Sequence, residues 1–169
     1  MNKVYLLIGG NLGNREKNLF NAREKITREA GEIIQTSQIY QTAAWGIREQ
    51  PDFLNQVLLI TTTLDPQHCL KKILSIENEM GRIRIQKNAA RIIDIDILLF
   101  NDEVIAEPGL TIPHPEIANR RFALAPLNEL APSYIHPAMQ TSIHELLMNC
   151  TDTLDVHIFN ESYSGTDEI

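Results

Sequence analysis

The chain has 169 residues, of which 43% are apolar and 22% charged, with eight Gly and eight Pro. This composition builds about one globular domain and excludes a collagenous, low-complexity or largely unfolded chain. Its net charge of −7 and pI near 5.2 argue against a general nucleic-acid binder, whose footprint is usually basic across the domain. Residues 3–8 form a β-rich apolar run, a buried strand that turns at Gly9-Gly10-Asn11-Leu12-Gly13. Its five-residue apolar stretch, the longest in the chain, is far short of the roughly 20 that a membrane span needs. No cleavable signal peptide precedes it, so a cytoplasmic location without membrane contact is expected.

Asn14 can cap a helix over 14–30, where Leu19, Ala22, Ile26 and Ala30 recur at helical steps and Gly31 provides a stop. Residues 32–42 and 53–63 are β-branched and partly alternating, so two strands flank a loop containing Trp45, Gly46 and Pro51. Asp65-Pro66 starts a second helix that runs to about Met80 and ends at Gly81. A strand over 92–100 follows, with a turn at Asn101-Asp102. The order βαββαβ predicts an α+β fold: a ferredoxin-like sheet with the helices packed on it and additional C-terminal helical elements. These are short helices near 116–119, 123–130 and 141–149, and a strand near 154–159. One domain over 1–159 is expected, with 160–169 a polar, flexible tail. Cys69 and Cys150 lack metal-ligand spacing and read as ordinary core or surface residues.

The charge is unevenly placed. All fifteen Lys and Arg lie within residues 1–121, and the acidic excess comes from the seven carboxylates of 122–169. Residues 82–91 carry Arg82, Arg84, Lys87 and Arg91 with no acid, directly before Asp94 and Asp96. On a strand these two carboxylates share a face, roughly 7 Å apart, and at an effective dielectric near 20 they repel by about 2 kcal/mol. Hard oxygen ligands in pairs suit Mg²⁺ and phosphate oxygens, and a cationic loop beside them suits the roughly four negative charges of ATP. The plainer alternative is a solvated edge-strand face beside a solvated loop. His114, between Pro113 and Pro115, is followed by Arg120, Arg121 and Phe122, which places phosphate donors near an aromatic face. His68, His136, His144 and His157 read as structural.

Taken together, the ordered motifs resemble the 6-hydroxymethyl-7,8-dihydropterin pyrophosphokinases of folate biosynthesis. The likeness spans about residues 4–135. It rests on Ile8-Gly9-Gly10-Asn11-Leu12-Gly13, Tyr40-Gln41-Thr42, Gln50-Pro51-Asp52-Phe53-Leu54-Asn55, residues 77–84, Arg91-Ile92-Ile93-Asp94-Ile95-Asp96-Ile97, and Pro113-His114-Pro115 with Asn119-Arg120-Arg121-Phe122. The resemblance implies transfer of pyrophosphate from ATP to a pterin alcohol by attack of the hydroxymethyl oxygen on the β-phosphorus, with AMP leaving. It implies that Asp94 and Asp96 hold two Mg²⁺ ions and that Arg82 and Arg91 act as catalytic lid arginines. Arg84, Lys87, His114 and Arg120 are implied as ATP contacts. For the pterin, it implies a sandwich between Phe53 and Phe122, an edge contact from Asn55, and recognition by the loop carrying Thr42, Ala43 and Trp45. The chain departs from the family pattern at Lys87-Asn88-Ala89-Ala90, which lacks a tryptophan, at Gly10 and at Ala43.

The expected partners are therefore ATP and the pterin, with no nucleic acid and no membrane, in a monomer rather than an oligomer. Two rival readings share parts of this pattern. A generic Mg-dependent nucleotidyltransferase would use the same Asp-x-Asp, and a ferredoxin-like RNA-binding module would use the basic loop and aromatics. Asp94 and Asp96 would repel an RNA backbone, and no basic-aromatic strand motif is present.

Overall fold

The computed structural model describes residues 1–43, 50–81 and 92–160. The readings for Trp45, Arg82, Arg84, Lys87 and Arg91, and for the tail from 161 onward, lie outside the described residues. Strand β1 (Asn2–Gly10) is central, and its Val4, Leu6 and Ile8 are fully buried on one face. After a turn in which Gly13 takes a φ of 68°, helix α1 (Arg15–Glu29) begins with the Asn14 side chain accepting the Lys17 N–H. Its buried Leu19, Ala22 and Ile26 lie three to four residues apart, the spacing of one helical face.

The single strand expected over 32–42 is two, β2 (Glu32–Thr36) and β3 (Tyr40–Thr42). Both pair antiparallel with β4 (Phe53–Thr62), but the register slips between Ile33 and Gln35. Ser37 holds the interruption in place: its backbone N–H donates to the Val57 carbonyl and its hydroxyl accepts the Val57 N–H at 2.9 Å. Gly31 stops α1 for a reason other than a left-handed turn. A Cβ there would collide with the Thr61 carbonyl oxygen of β4, so the glycine lets the chain pass close to the sheet.

Helix α2 (Pro66–Glu79) starts where the Asp65 carboxylate accepts the His68 N–H at 2.8 Å, and Gly81 follows its end with a φ of 84°. Strand β5 (Asp94–Phe100) then returns along the free side of β1. A hairpin of β6 (Ile105–Glu107) and β7 (Leu110–Ile112), turning at Gly109 with φ 82°, stands apart from the main sheet. After a 3-10 turn at Ile117–Asn119 come α3 (Arg121–Leu130), α4 (Ile143–Met148) and β8 (Val156–Ile158), which pairs with β3. The result is a mixed α/β fold around an antiparallel sheet of order β5-β1-β4-β3-β8, with β2 also on β4.

Two cores share this sheet. On one face Val4, Leu6, Ile8, Leu54, Leu58 and Ile95 meet α1 and α2; on the other Leu7, Val57 and Leu98 meet Ile117 and the apolar sides of α3 and α4. Truncating a fully buried Leu or Ile in either core costs about 2–5 kcal/mol. Because α3 and α4 cover only part of the second face, the end of the sheet near Gly9 and Phe53 stays open to a cleft. No helix among the described residues is long and apolar enough to cross a membrane.

Candidate active site

The cleft is lined by Leu7, Gly9, Thr42, Ala43, Phe53, Asn55, Asp94, Asp96, Arg120 and Phe122. Strand register explains why these residues meet. Gly9 is the direct partner of Asn55 on β4 and of Asp94 on β5, and Leu7 is the partner of Asp96. Asp94, Gly9 and Asn55 therefore form one row across three strands, with the Asp94 and Asn55 backbones about 10 Å apart at two strand spacings. Phe53 is the partner of Thr42, one strand further across. The alternation on β5 is as expected: Asp94 and Asp96 are half-buried toward the cleft, and Ile93, Ile95 and Ile97 are buried on the opposite face.

Gly9 and Leu7 carry no individual signal of a site in the sequence. A Cβ at Gly9 would overlap the Asn55 side-chain oxygen and press on the Leu54 carbonyl at 2.9 Å. The glycine thus forms the floor of a groove that leaves room for the buried Asn55 amide. The residues leading into Phe53 are fastened as well. The Asn11 side chain donates to Gln50 Oε1 and to the Pro51 carbonyl, both at 3.0 Å, Arg15 Nη1 donates to the Asp52 carbonyl at 2.9 Å, and Gln41 Nε2 donates to Asp52 Oδ2 at 2.9 Å. Buried Glu77 of α2 reaches β5 from outside: its Oε2 accepts the Ile95 N–H at 2.7 Å, at the residue between the two aspartates.

The opposite wall comes from the segment after β7. The His114 N–H donates to the Leu98 carbonyl at 2.9 Å, which ties this segment to β5. His114 Nδ1 accepts the Glu116 N–H at 3.1 Å, an arrangement that leaves the proton of a neutral ring on Nε2. Burial holds the His114 imidazole below its ordinary range and the nearby Arg120 cation lowers it further, against the opposing pull of Glu116 and Asp94. The Arg120 guanidinium lies 5.7 Å from the centre of the Phe122 ring, a cation-π pairing that fixes a flat face and a positive charge side by side.

The structure thus gathers Thr42, Ala43, Phe53, Asn55, Asp94, Asp96, Arg120 and Phe122 into one cleft, and sets His114 beside Arg120 and Asp94 without lining it. Of the other histidines, His68 and His157 contact Asp65 and Asp155, and buried His136 accepts the Ala138 and Met139 N–H groups. Cys69 is buried and Cys150 half-buried. Among the described residues no group of three or more His, Cys, Asp or Glu forms a metal cage. A carboxylate pair beside a guanidinium instead suits a hydrated divalent ion that shares its remaining positions with phosphate oxygens and water.

Comparison with known proteins follows the same lines. The sequence model of 7,8-dihydro-6-hydroxymethylpterin-pyrophosphokinase (HPPK) matches residues 5–132. The chain is 43% identical over 145 residues to the 2-amino-4-hydroxy-6-hydroxymethyldihydropteridine pyrophosphokinase of Aquifex aeolicus (strain VF5), covering 86% of this chain and 90% of that protein. It is 36% identical over 156 residues to the folic acid synthesis protein FOL1 of Dictyostelium discoideum, covering 92% of this chain but only 24% of that larger protein. Among solved structures, wild-type Plasmodium falciparum HPPK-DHPS superposes with a TM-score of 0.71 at 19% identity, over 87% of this chain and 44% of that one. That last likeness is one of fold.

Proposed function

The chain belongs to the 7,8-dihydro-6-hydroxymethylpterin-pyrophosphokinase family, and from that premise we propose that it moves the pyrophosphoryl group of ATP onto 6-hydroxymethyl-7,8-dihydropterin in folate biosynthesis. In this reaction the pterin hydroxymethyl oxygen bonds to the β-phosphorus and gives up its proton to water, the bond from that phosphorus to the oxygen bridging to the α-phosphate breaks, and AMP leaves with the electron pair. The observation that carries the reading is the row Asp94-Gly9-Asn55, which sets a carboxylate pair at one end of a groove and a buried amide at the other, with Phe53 and Phe122 in the same cleft.

Each wall has a chemical task. Phe53 and Phe122 offer stacking faces for a flat bicycle, and the Asn55 amide, with both a donor and an acceptor, reads its polar edge. Thr42 and Ala43 contribute backbone groups along that edge. Arg120 and the His114 Nε2–H donate to phosphate oxygens, and being fixed before substrate arrives they lose little order when it binds. Asp94 and Asp96 would hold Mg²⁺, two ions in our reading, which supplies positive charge to the polyphosphate. We assign Arg82 and Arg91 to the transferring group and Arg84 and Lys87 to the remaining phosphates, and we include Trp45 with the pterin loop, on the strength of the resemblance in their motifs.

We also read the sheet as ferredoxin-like, supported by the order β5-β1-β4 with β2 and β3 beyond β4. Residues 1–159 are read as one domain, supported by β8 pairing back onto β3. We also read the protein as a monomer, and a cytoplasmic location is supported by the ATP supply the reaction needs. The test is direct: incubation with Mg-ATP and the pterin alcohol gives AMP and the pterin pyrophosphate. ADP as product overturns the reading.

A further inference from the structure

The family match ends at residue 132, yet two walls of the cleft are tied together by residues well beyond it. Asp152 is 7% exposed. Its Oδ2 accepts the Arg121 N–H at 3.0 Å, and its Oδ1 accepts the Leu154 N–H at 3.0 Å. Arg121 returns the contact, donating from Nε to the Asp152 carbonyl at 3.2 Å and from Nη2 to the Cys150 carbonyl at 3.3 Å. Arg121 is the first residue of α3, and Arg120 before it makes no side-chain cap. The Asp152 carboxylate therefore satisfies an N–H that the helix itself leaves open, with the charge that the helix start favours. Three residues on, the Asp155 carbonyl accepts the Thr42 hydroxyl at 2.9 Å, and Val156 pairs with Thr42 in the β3–β8 ladder.

We propose that Asp152 is a positioning residue for the pterin cleft, anchoring a strap over residues 152–156 that sets the Arg120–Phe122 wall at a fixed distance from the Thr42 wall. The inference rests on the function proposed above. Asp152 acts through Arg121: Arg120 and Phe122 flank that residue, so freeing the first turn of α3 frees both the stacking ring and the guanidinium beside it. The same strap carries Thr42 on its other end. The pterin binds between two elements that are far apart in sequence, and here their spacing is held by a third.

The test compares two helix-start contacts. Ser142 accepts the Glu145 N–H at 3.1 Å at the start of α4, a helix that contributes nothing to the cleft lining. Asp152→Ala and Ser142→Ala should both lower Tm. Only Asp152→Ala should raise the pterin Kd, by about tenfold, in calorimetry with Mg²⁺ and a non-hydrolysable ATP analogue, with KM for pterin rising more than KM for ATP. Asp152→Asn keeps one acceptor for the Arg121 N–H and should fall between, at about threefold; it decides the matter if Asp152→Ala does not fold. Wild-type protein that forms no AMP overturns the function and this inference with it. Wild-type protein that forms AMP, while both Asp152 variants bind pterin as tightly as Ser142→Ala, overturns the inference alone.

Discussion

Gly9 and Asn55 are direct partners across the β1–β4 ladder, and a methyl group on Gly9 would occupy the space of the Asn55 side-chain oxygen. A substitution there is therefore a substitution in the proposed pterin site without touching a ligand group. Gly9→Ala is expected to weaken pterin binding by about tenfold or more, with a stability cost of about 1–3 kcal/mol from crowding against β4. Calorimetry and urea unfolding check the two halves. Unchanged pterin affinity would show that Asn55 does not read the substrate.

That relationship also shows what the sequence made legible and what it hid. Asp94 and Asp96 were readable because period-2 alternation on one strand is a local property, and the helices were readable because Asn14, Asp65 and Gly81 punctuate them locally. The row Asp94-Gly9-Asn55 depends on the pairing of three strands separated by some 40 residues each, which no local pattern encodes. Likewise 32–42 reads as one strand because its residues are uniformly β-prone, and only its partner strand reveals the slip near Ile33. The β6–β7 hairpin is not legible in the sequence because three-residue strands are too short to show alternation, though Pro108-Gly109 marks its turn. Thr42 and Phe53 are named only through the resemblance, since an isolated threonine or phenylalanine carries no chemical signature, whereas Phe122 is marked by the cations that precede it.

Removing one charge of the carboxylate pair tests the proposed metal role apart from folding. Asp96→Asn preserves shape, so turnover should drop by roughly 100-fold or more once a phosphate-bound ion loses a ligand. Thermal stability without Mg²⁺ should hold or rise slightly, because at most about 2 kcal/mol of repulsion is relieved. Near-normal turnover at ordinary Mg²⁺ would remove Asp96 from the metal site.

The depressed His114 imidazole gives a pH dependence of definite sign. In the unfolded chain His114 takes up a proton near pH 6.5, whereas in the fold burial and Arg120 hold it neutral to lower pH. Its stabilising contribution is therefore fully present above about 6.5 and is lost as pH falls from there through the lowered folded value. Protonation also turns Nδ1 from acceptor into donor, against the Glu116 N–H. His114→Asn, which does not titrate, should show a shallower fall of Tm between pH 7 and 5 than wild type. A residual fall is expected from His136, which burial also depresses. Parallel curves for variant and wild type would mean that His114 is as free to ionise in the fold as outside it.

Glu77 links the stability of β5 to the aspartates it carries. Its buried carboxylate accepts the N–H of Ile95 at 2.7 Å, on the side of an edge strand facing away from β1 and at the residue between Asp94 and Asp96. Glu77→Ala leaves that buried N–H open, which costs about 1–3 kcal/mol. The strand then loosens where its two carboxylates must keep one geometry toward a phosphate, so kcat should fall more than pterin affinity, the pattern of an interaction that matters most in the transition state. Glu77→Gln keeps an oxygen acceptor and should recover most of the stability. Native-state hydrogen exchange reads the cause directly: the Ile95 amide should be strongly protected in wild type, faster by about tenfold or more in Glu77→Ala, and intermediate in Glu77→Gln. If the Ile95 amide exchanged at the same rate in all three while kcat still fell, Glu77 would be acting on the reaction by some route other than holding the strand.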